Sequence, residues 1–478
     1  MNTRSFAIFS GLGLSLFLSC LSGPHASPTT QATAAKGQAA SPEPRASLHQ
    51  FVSSKNSRVL FQQASDIPMI DLAIEIDAGN RWDPQGLEGL ASLTAQLAKA
   101  GVRSSANRPA LGETEMGEAW ADLAVEQSVG TSRDQVSMRF RFLSDPKVRD
   151  AAIALIARVL AEPAMADSVF ERQRATSIAG LKESLSRPQT LATRALWQAM
   201  YQGHPYGALV TEGSLQATSR DHLVAFHGFY WKPERMSIAI VGDIGLGDAK
   251  RLVESTQALL QSGISEKDQT LAALTGFRSS LGPAPQGGPS GSTINVDHPT
   301  SQAHIWMGLP VLARHELDDY FALTLANHVL GGGGFVSRLT KEIREKRGMA
   351  YSVFSAVQPL AQTGPFFLGL QTQREQASQA VKVVNETLAN FIAQGPSEEE
   401  LVAAKKNLIG GFALRLDSNR KLIDNLAAIN FYRLPANYLD TWTDRIDMVS
   451  REDVQNVLNQ RLAGRGMVTV IVAGKPGS

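Results

Sequence analysis

Residues 330–351, LGGGGFVSRLTKEIREKRGMAY, predict a glycine-rich turn, a charged helix and the start of a strand. Glycines 331–334 can adopt backbone angles that other residues rarely take. Beyond them, apolar residues recur at spacings of three and four, which predicts one buried helix face made of Val336, Leu339 and Ile343. Gly348 has the position of a C-terminal cap, so we expect the helix to end there.

Arg344 and Tyr351 are the polar residues of this segment that could act together on a substrate. They stand seven residues apart, one on the predicted helix and one beyond its end. A guanidinium and a phenol are both hydrogen-bond donors suited to a carbonyl oxygen or an oxyanion. On local evidence alone, however, such residues are typical of surfaces and cores. A phosphate cradle is the other reading of the glycine run, but the segment has no GxxxxGK motif.

The composition excludes several classes of protein. The 478 residues suffice for two to three domains, and a hydrophobic content of 43% is ample for sizeable cores. The net charge is +1, from 46 basic and 45 acidic residues, which gives no indication of nucleic-acid or anionic-membrane binding. Nine histidines and one cysteine exclude a cysteine-rich metal site and a disulfide framework.

The N-terminus has the pattern of an export signal. Arg4 precedes an apolar run at residues 6–18, which is too short to span a bilayer. We therefore expect residues 1–26 to be a signal segment, residues 27–46 to be a disordered polar tether and the mature protein to be exported.

Cys20, the single cysteine, follows Phe17-Leu18-Ser19 at the end of the apolar run. This arrangement resembles a bacterial lipoprotein cleavage site, although phenylalanine stands where leucine is usual. It predicts lipidation of Cys20 and attachment to a membrane through that lipid. The alternative is a plain signal peptide cut near Ala26, which would remove Cys20.

Two segments of the chain repeat one pattern. TSRDHLVAFHGFYWKPERMSIAIVGD begins at Thr218, and VSREDVQNVLNQRLAGRGMVTVIVAGK begins at Val449. Each predicts a serine-capped helix, a turn and a β-branched strand, and the offset from Ser219 to Ser450 is 231 residues. So long a period indicates domain duplication.

The rest of the pattern predicts an α+β fold. Strands and helices follow each other without βαβ alternation, which favours mainly antiparallel sheets packed with helices. The alternation at residues 70–76 predicts a half-buried strand. Residues 263–289 have the composition of a linker, so we expect one domain at 47–262 and a second at 290–476.

Residues 337–353, SRLTKEIREKRGMAYSV, look very like the second-half signature of the pitrilysin, insulinase and mitochondrial-processing-peptidase family of zinc peptidases. AGNRWDPQGLEGLASL, HPYG and FHGFYWKPERMSIAIVGD resemble landmarks of the family's first half, and FYRLPANYL resembles one of its second half. The resemblance covers nearly the whole mature chain. It implies two homologous domains that form half of a clamshell around a peptide chamber. It also implies that Arg344 and Tyr351 bind the substrate backbone beside the scissile bond.

The zinc motif of that family is degenerate here. Active members carry two histidines at i and i+4 and a glutamate at i+3 on one helix face, so that both imidazoles hold zinc and the carboxylate activates its water. The matching positions are Ser92, Ala95 and Gln96, none of which can do this. The third ligand is a glutamate on a later helix, and its place falls at Gly180, with Glu183 close by. The nine histidines offer no substitute motif, so we expect no zinc in this chain.

Two functions follow from the resemblance. In heterodimeric members of the family, one subunit carries zinc and the other carries the arginine and tyrosine. The first expectation is therefore a substrate-binding, non-catalytic subunit, with a zinc-bearing homologous subunit as partner and peptides as substrates. The second is a structural or chaperone-like peptide-binding protein without a catalytic partner.

Overall fold

The computed structural model describes residues 47–105, 108–263, 276–278, 280, 282, 285 and 291–474. The signal segment with Cys20, the tether and most of the predicted linker lie outside the described residues. The strands are β1 (Leu48–Val52), β2 (Arg58–Gln63), β3 (Met69–Ile76), β4 (Glu126–Thr131), β5 (Val136–Leu143), β6 (Met236–Gly242), β7 (Thr293–Asp297), β8 (Gln302–Leu312), β9 (Ala350–Val357), β10 (Gly364–Gln373) and β11 (Val468–Ala473).

The α-helices are α1 (Leu90–Ala98), α2 (Glu113–Asp122), α3 (Pro146–Ala161), α4 (Asp167–Leu185), α5 (Pro188–Met200), α6 (Glu212–Ala217), α7 (Arg220–Tyr230), α8 (Leu246–Gln257), α9 (Leu317–Asn327), α10 (Ala377–Gln394), α11 (Glu398–Gly410), α12 (Asn419–Phe431), α13 (Tyr438–Met448) and α14 (Arg451–Arg461). Among the residues described, no helix combines the length and apolar character that a membrane span requires.

Two sheets, one in each half of the chain, confirm the predicted α+β fold. The first has the strand order β1-β2-β6-β3-β5-β4, and the second has the order β7-β11-β8-β10-β9. Each sheet is antiparallel except for one parallel pair, β2 with β6 and β7 with β11. Without β1, the two orders match strand for strand, so the structure shows the duplication that the sequence repeat indicated.

The repeated segments occupy equivalent places in the two halves. Ser219 caps α7 and Ser450 caps α14, and both serines form reciprocal capping boxes with the residue three positions later. Each helix then leads into the strand that pairs in parallel, β6 in the first sheet and β11 in the second.

Each half contributes one helix to the sheet of the other half. Helix α12, from the second half, packs against β2, β3 and β6, while α5, from the first half, packs against β8 and β11. On α5, the apolar residues Ala192, Leu196 and Met200 join one core cluster with Trp306 and the valines of β11. The two halves therefore share their cores, which makes their packing mutually dependent.

The strand at residues 70–76 is buried on both faces, so the predicted half-buried strand is wrong. Ile70, Leu72, Ile74 and Ile76 face the core of the first half. The other face, where water was expected, lies under α12. Its carboxylates are neutralised by arginines of β5: Asp71 pairs with Arg141 at 2.8 Å and Glu75 pairs with Arg139 at 2.6 Å.

Asp134, between β4 and β5, connects the two halves through a fully buried carboxylate. Its Oδ1 accepts hydrogen bonds from Arg81 Nη1 at 2.7 Å and from the Tyr206 hydroxyl at 2.5 Å. Its Oδ2 accepts from the Ala361 amide at 2.9 Å and from the Tyr432 hydroxyl at 3.0 Å, both in the second half. Burial raises the pKa of Tyr206 and of Tyr432, so both hydroxyls remain donors at neutral pH.

Replacing Asp134 by alanine should destabilise the protein strongly. The change leaves the Arg81 guanidinium buried without one of its carboxylates, and breaking a buried pair in this way costs about 3–5 kcal/mol. Urea unfolding of both proteins would measure the loss. As a control, Glu126→Gln removes an exposed pair with Arg420 and should cost about 0–1 kcal/mol. Equal losses in the two variants would contradict a central role for Asp134.

His227 should make stability depend on pH in a defined window. It is half-buried, its Nε2 lies 2.8 Å from the Leu160 carbonyl oxygen, and the loss of solvent around the ring lowers its pKa to about 4. The unfolded chain binds this proton below about pH 6.5, so stability should fall by about 1.4 kcal/mol per pH unit as the pH drops from 6.5 towards 4. His227→Gln keeps a donor but cannot titrate. Urea midpoints of the two proteins should therefore diverge below pH 6.5, and parallel curves would contradict this assignment.

Candidate functional site

The glycine run 331–334 serves mainly to bring backbone segments close together. Only Gly334 has a positive φ, of 65°. At Gly331, a Cβ would lie 2.5 Å from Ser355 Oγ, and at Gly333 it would lie 2.7 Å from the His328 carbonyl oxygen. These contacts exclude any side chain, so the run forms a tight turn against β9.

The helix after this turn is shorter and wider than predicted. A 3-10 turn occupies Gly334–Val336, and a π-helical turn occupies Thr340–Glu345. Leu339 and Ile343 are fully buried as expected, but Val336 is exposed, so its assignment to the buried face is wrong. Gly348 has φ 59° and ends the helix as predicted, with the Met349 amide bonded to the Ile343 carbonyl. π-Helical turns are rare and occur frequently at functional sites.

Charged neighbours fix this helix in place. Arg338 donates to both carboxylate oxygens of Glu400, at 2.9 and 2.5 Å, and so ties the helix to the start of α11. Glu342 accepts from Lys346 and Arg347, both at 2.6 Å, and these hydrogen bonds hold the pKa of Glu342 below its ordinary value.

Arg344 and Tyr351 are brought into contact. The Arg344 Cζ atom lies 5.0 Å from the Tyr351 ring centroid and 4.8 Å from that of Phe335, so both rings contact the guanidinium. Among the described residues, the Arg344 side chain has no hydrogen bond and no carboxylate within ion-pair distance. Tyr351 is 85% exposed and Phe335 is 62% exposed. The Arg344 N–H groups are therefore free to donate hydrogen bonds, and they lie beside the exposed side chain of Tyr351.

The backbone at Tyr351 is irregular. Strand β9 lies at the edge of the second sheet, and its pairing with β10 shifts between Leu370 and Thr372. This shift places Tyr351 in a β-bulge, which turns its side chain away from the regular alternation of the strand. Sequence patterns did not predict this bulge. They also did not predict that the Phe335 ring contacts Arg344.

The degenerate zinc positions lie on α1, which begins at Leu90. The buried carboxylate of Asp83 accepts from the Gly89 and Ala91 amides, at 2.8 and 2.7 Å, and fixes this start. Burial raises the pKa of Asp83 to about 7. Ser92 Oγ donates to Asn80 Oδ1 at 3.2 Å, and Ala95 is buried in the core.

Gln96 contacts α4 through Gln173, whose Nε2 donates to Gln96 Oε1. Gly180, two turns further along α4, is exposed, and a Cβ built on it would have no neighbour within 4 Å. The residue that α4 places against the degenerate motif is therefore Gln173 rather than Gly180. Glu183 is also exposed and pairs with Arg187 at 3.1 Å. Phe170 is the buried residue of α4, and Gln173 lies three positions later on the same helix face. This spacing is the sequence pattern that could have identified Gln173 as facing inward.

These residues do not fit a zinc ion. Serine and the amides of Gln96 and Gln173 are poor zinc ligands, and here each is already hydrogen-bonded within the protein. Across the described ranges, no three His, Cys, Asp or Glu side chains form a group that could hold a metal. No hydrogen bond or ion pair between described residues joins Ser92 or Gln96 to Arg344 or Tyr351.

Three histidines have structural roles. His204 Nδ1 accepts from the Tyr206 amide at 3.1 Å and caps the short 3-10 turn of the HPYG segment. His222 Nδ1 accepts from the Ser219 amide at 3.1 Å at the start of α7. His227 is bonded to the Leu160 carbonyl, as described above, so none of the three is available as a ligand.

Comparisons with known proteins identify the family. A family model described as insulinase (peptidase family M16) matches residues 58–212, and one described as the peptidase M16 inactive domain matches residues 217–408. The two matches lie one after the other and cover both sheets in part. The chain therefore belongs to the M16 peptidase family, as the sequence resemblance implied.

Relatives of this chain include one protein named as a non-peptidase and others named as zinc proteases. A non-peptidase homologue, YmxG, of Helicobacter pylori is 23% identical over 89% of this chain and 94% of its own length. An uncharacterized zinc protease of Mycobacterium leprae is 27% identical over 66% of this chain and 69% of its own length. The crystal structure of a peptidase M16 inactive domain from Pseudomonas fluorescens superimposes with a TM-score of 0.81 at 28% identity, covering 90% of this chain and 98% of that one.

These names and the degenerate motif agree. The chain is an M16 homologue without the family's zinc-binding and water-activating residues, and the homologues named non-peptidase and inactive support a non-catalytic role.

Grafting ligands onto α1 and α4 should test the geometry of the degenerate site. The unmodified chain should contain no stoichiometric zinc. Combining Ser92→His, Gln96→His and Gln173→Glu places two imidazoles at i and i+4 opposite a carboxylate, and should give about one tightly bound zinc per chain. The control set replaces Gln173→Glu with Gly180→Glu and should bind zinc weakly. Elemental analysis after dialysis measures both, and equal zinc in the two sets would contradict the placement of Gln173.

Proposed function

We propose that this chain is the substrate-binding, non-catalytic subunit of a two-chain zinc metallopeptidase that cleaves peptides. The observation that carries the proposal is the contact between the half-buried Arg344 and the exposed Tyr351. Among the described residues, the half-buried Arg344 guanidinium has no carboxylate partner, so its N–H donors are free to bind a substrate. The zinc ion and its activated water belong to a homologous partner subunit, which closes over this one to complete a peptide chamber.

Arg344 and Tyr351 have distinct roles in this proposal. The Arg344 guanidinium, oriented by the rings of Phe335 and Tyr351, donates to a carbonyl oxygen of the bound peptide and positions it. The Tyr351 hydroxyl donates to the oxygen that becomes negatively charged as the peptide bond is attacked. Neither group transfers a proton or activates water, which agrees with a subunit that is inactive by itself.

The substrate is an extended peptide. Strand β9 is the edge of the second sheet, so its outer N–H and C=O groups are available to pair with an added strand next to Tyr351. Main-chain pairing of this kind is tolerant of sequence, since specificity comes only from the pockets that receive side chains.

The place of action is the cell envelope. The apolar run 6–18 and the cysteine at position 20 support export, and lipidation of Cys20 would attach the complex to a membrane. The partner subunit would be exported by the same route.

Reconstitution tests the proposal. Alone, the chain should not cleave peptides. Mixed with a zinc-bearing homologue from the same cell, it should restore cleavage. Tyr351→Phe removes one donor to the oxyanion and should lower kcat by about a hundredfold or more. Arg344→Ala should raise KM and lower kcat together, because it positions the carbonyl in the ground state and the transition state alike.

Arg347→Ala is the matched control, because it removes an arginine of the same segment that is paired with Glu342. It should leave turnover unchanged, and circular dichroism should show that all variants are folded. Full activity of the double variant Arg344→Ala, Tyr351→Phe would contradict the proposal. The chain would then be better described as a structural or chaperone-like peptide-binding protein.

A further inference from the structure

A cavity of about 460 Å³ opens between the two halves, where β1 and β2 meet the end of α12. None of its lining residues belongs to the Arg344 segment or to α1, so it is separate from the candidate site. One wall is apolar and includes Leu60, Ile429 and Leu434, and the polar lining includes Arg58, Arg433 and Glu234.

Arg58 is only partly satisfied by the protein. Its Nη2 donates to Ser237 Oγ at 2.7 Å and to the Asn430 carbonyl oxygen at 3.0 Å. Its Nε is buried and has no hydrogen-bond partner among the described residues. Burial, followed by the charge of Arg433, lowers the pKa of Arg58, so the site carries two cations that repel each other.

Arg433 is held in an unfavourable backbone conformation. It follows the last turn of α12 with φ 55°, where the Leu434 amide bonds to the Ile429 carbonyl at 2.9 Å. Helices commonly end at such a position with glycine, since a side chain there is strained. Within the described chain, the Arg433 guanidinium has neither a hydrogen bond nor an ion pair. The Arg433 side chain is exposed and lines the cavity, so its donors are accessible to a ligand there.

The charges of the cavity select its ligand. Arg58 and Arg433 bring two positive charges, and Glu234 brings one negative charge, with its Oε1 accepting from the Gly263 amide at 2.7 Å. One further carboxylate would balance these three lining charges and supply acceptors to Arg58 and Arg433. The apolar wall opposite can contact a hydrocarbon group of the same ligand.

We propose that this cavity binds the carboxylate of a small organic acid with an apolar body. Two sources have that chemistry: a free branched-chain acid, and the C-terminal residue of a peptide. Because the walls come from both halves, the bound ligand would also stabilise their packing.

Calorimetric titration with matched probes tests the proposal. N-acetyl-leucine should bind, and its neutral counterpart N-acetyl-leucinamide should bind at least about tenfold more weakly, since it lacks the charge-assisted hydrogen bonds. Equal binding of the two, or no binding of either, would overturn the proposal. Inorganic phosphate that binds as tightly as N-acetyl-leucine would overturn the role of the apolar wall. Titration with 4-methylpentanoate, which lacks the acetylamino group of N-acetyl-leucine, identifies the source. An affinity equal to that of N-acetyl-leucine supports a free acid, and a weaker affinity supports a peptide C-terminus.

Arg433→Gly separates binding from folding. Glycine accepts φ 55° without strain, so the variant should unfold at the same or a higher temperature. It should nevertheless bind N-acetyl-leucine at least about tenfold more weakly. Arg187→Ala, which removes an exposed arginine outside the cavity, should bind as the unmodified protein does. Unchanged affinity in Arg433→Gly would overturn the proposal.

Discussion

The buried carboxylate of Asp134 is the interaction on which the arrangement of the two halves depends. Each of its oxygens accepts two hydrogen bonds, and the four donors come from Arg81 and Tyr206 in the first half and from Ala361 and Tyr432 in the second. A buried carboxylate with both oxygens paired in this way permits few alternative packings, because a shift of either half leaves a charge or a donor unpaired. Apolar packing constrains the two halves as well, because α12 of the second half packs on the first sheet and α5 of the first half packs on the second sheet.

This shared core determines which surfaces remain free for function. Helix α12 covers one face of the first sheet and α5 covers one face of the second, so the face that α12 covers can carry Asp71 and Glu75 only as ion pairs. Strand β9 is an edge strand of the second sheet, and it presents the exposed Tyr351. Pairing with β10 and the Arg338–Glu400 ion pair hold the bulge at Tyr351 and the neighbouring Arg344 close together.

The loss of zinc chemistry and the retention of the arginine and tyrosine are physically independent. The degenerate positions on α1 are filled by groups that bond to one another or to the core, so the helix packing persists without metal. The Arg344 segment is anchored instead by Arg338 and Glu400 in the second half. Among the described residues, the contacts of the degenerate positions and the contacts that anchor the Arg344 segment are therefore separate.

The sequence by itself determined the family, the duplicated α+β fold and the pairing of Arg344 with Tyr351, because these depend on local periodicity, capping residues and motifs. Tertiary structure alone decided the rest. The alternating pattern of β3 predicted a half-buried strand. Sequence patterns cannot show that α12, a helix about 350 residues further along the chain, covers the polar face of that strand. Gln173 rather than Gly180 faces the former zinc motif, because the packing of α4 on α1 selects the inward residue. Phe335 contacts Arg344 only because the glycine run turns the chain back against β9. Helix caps, turns and motifs depend on neighbouring residues and can be predicted from the sequence. Burial, and the meeting of distant side chains, depend on contacts between segments that are far apart in the chain.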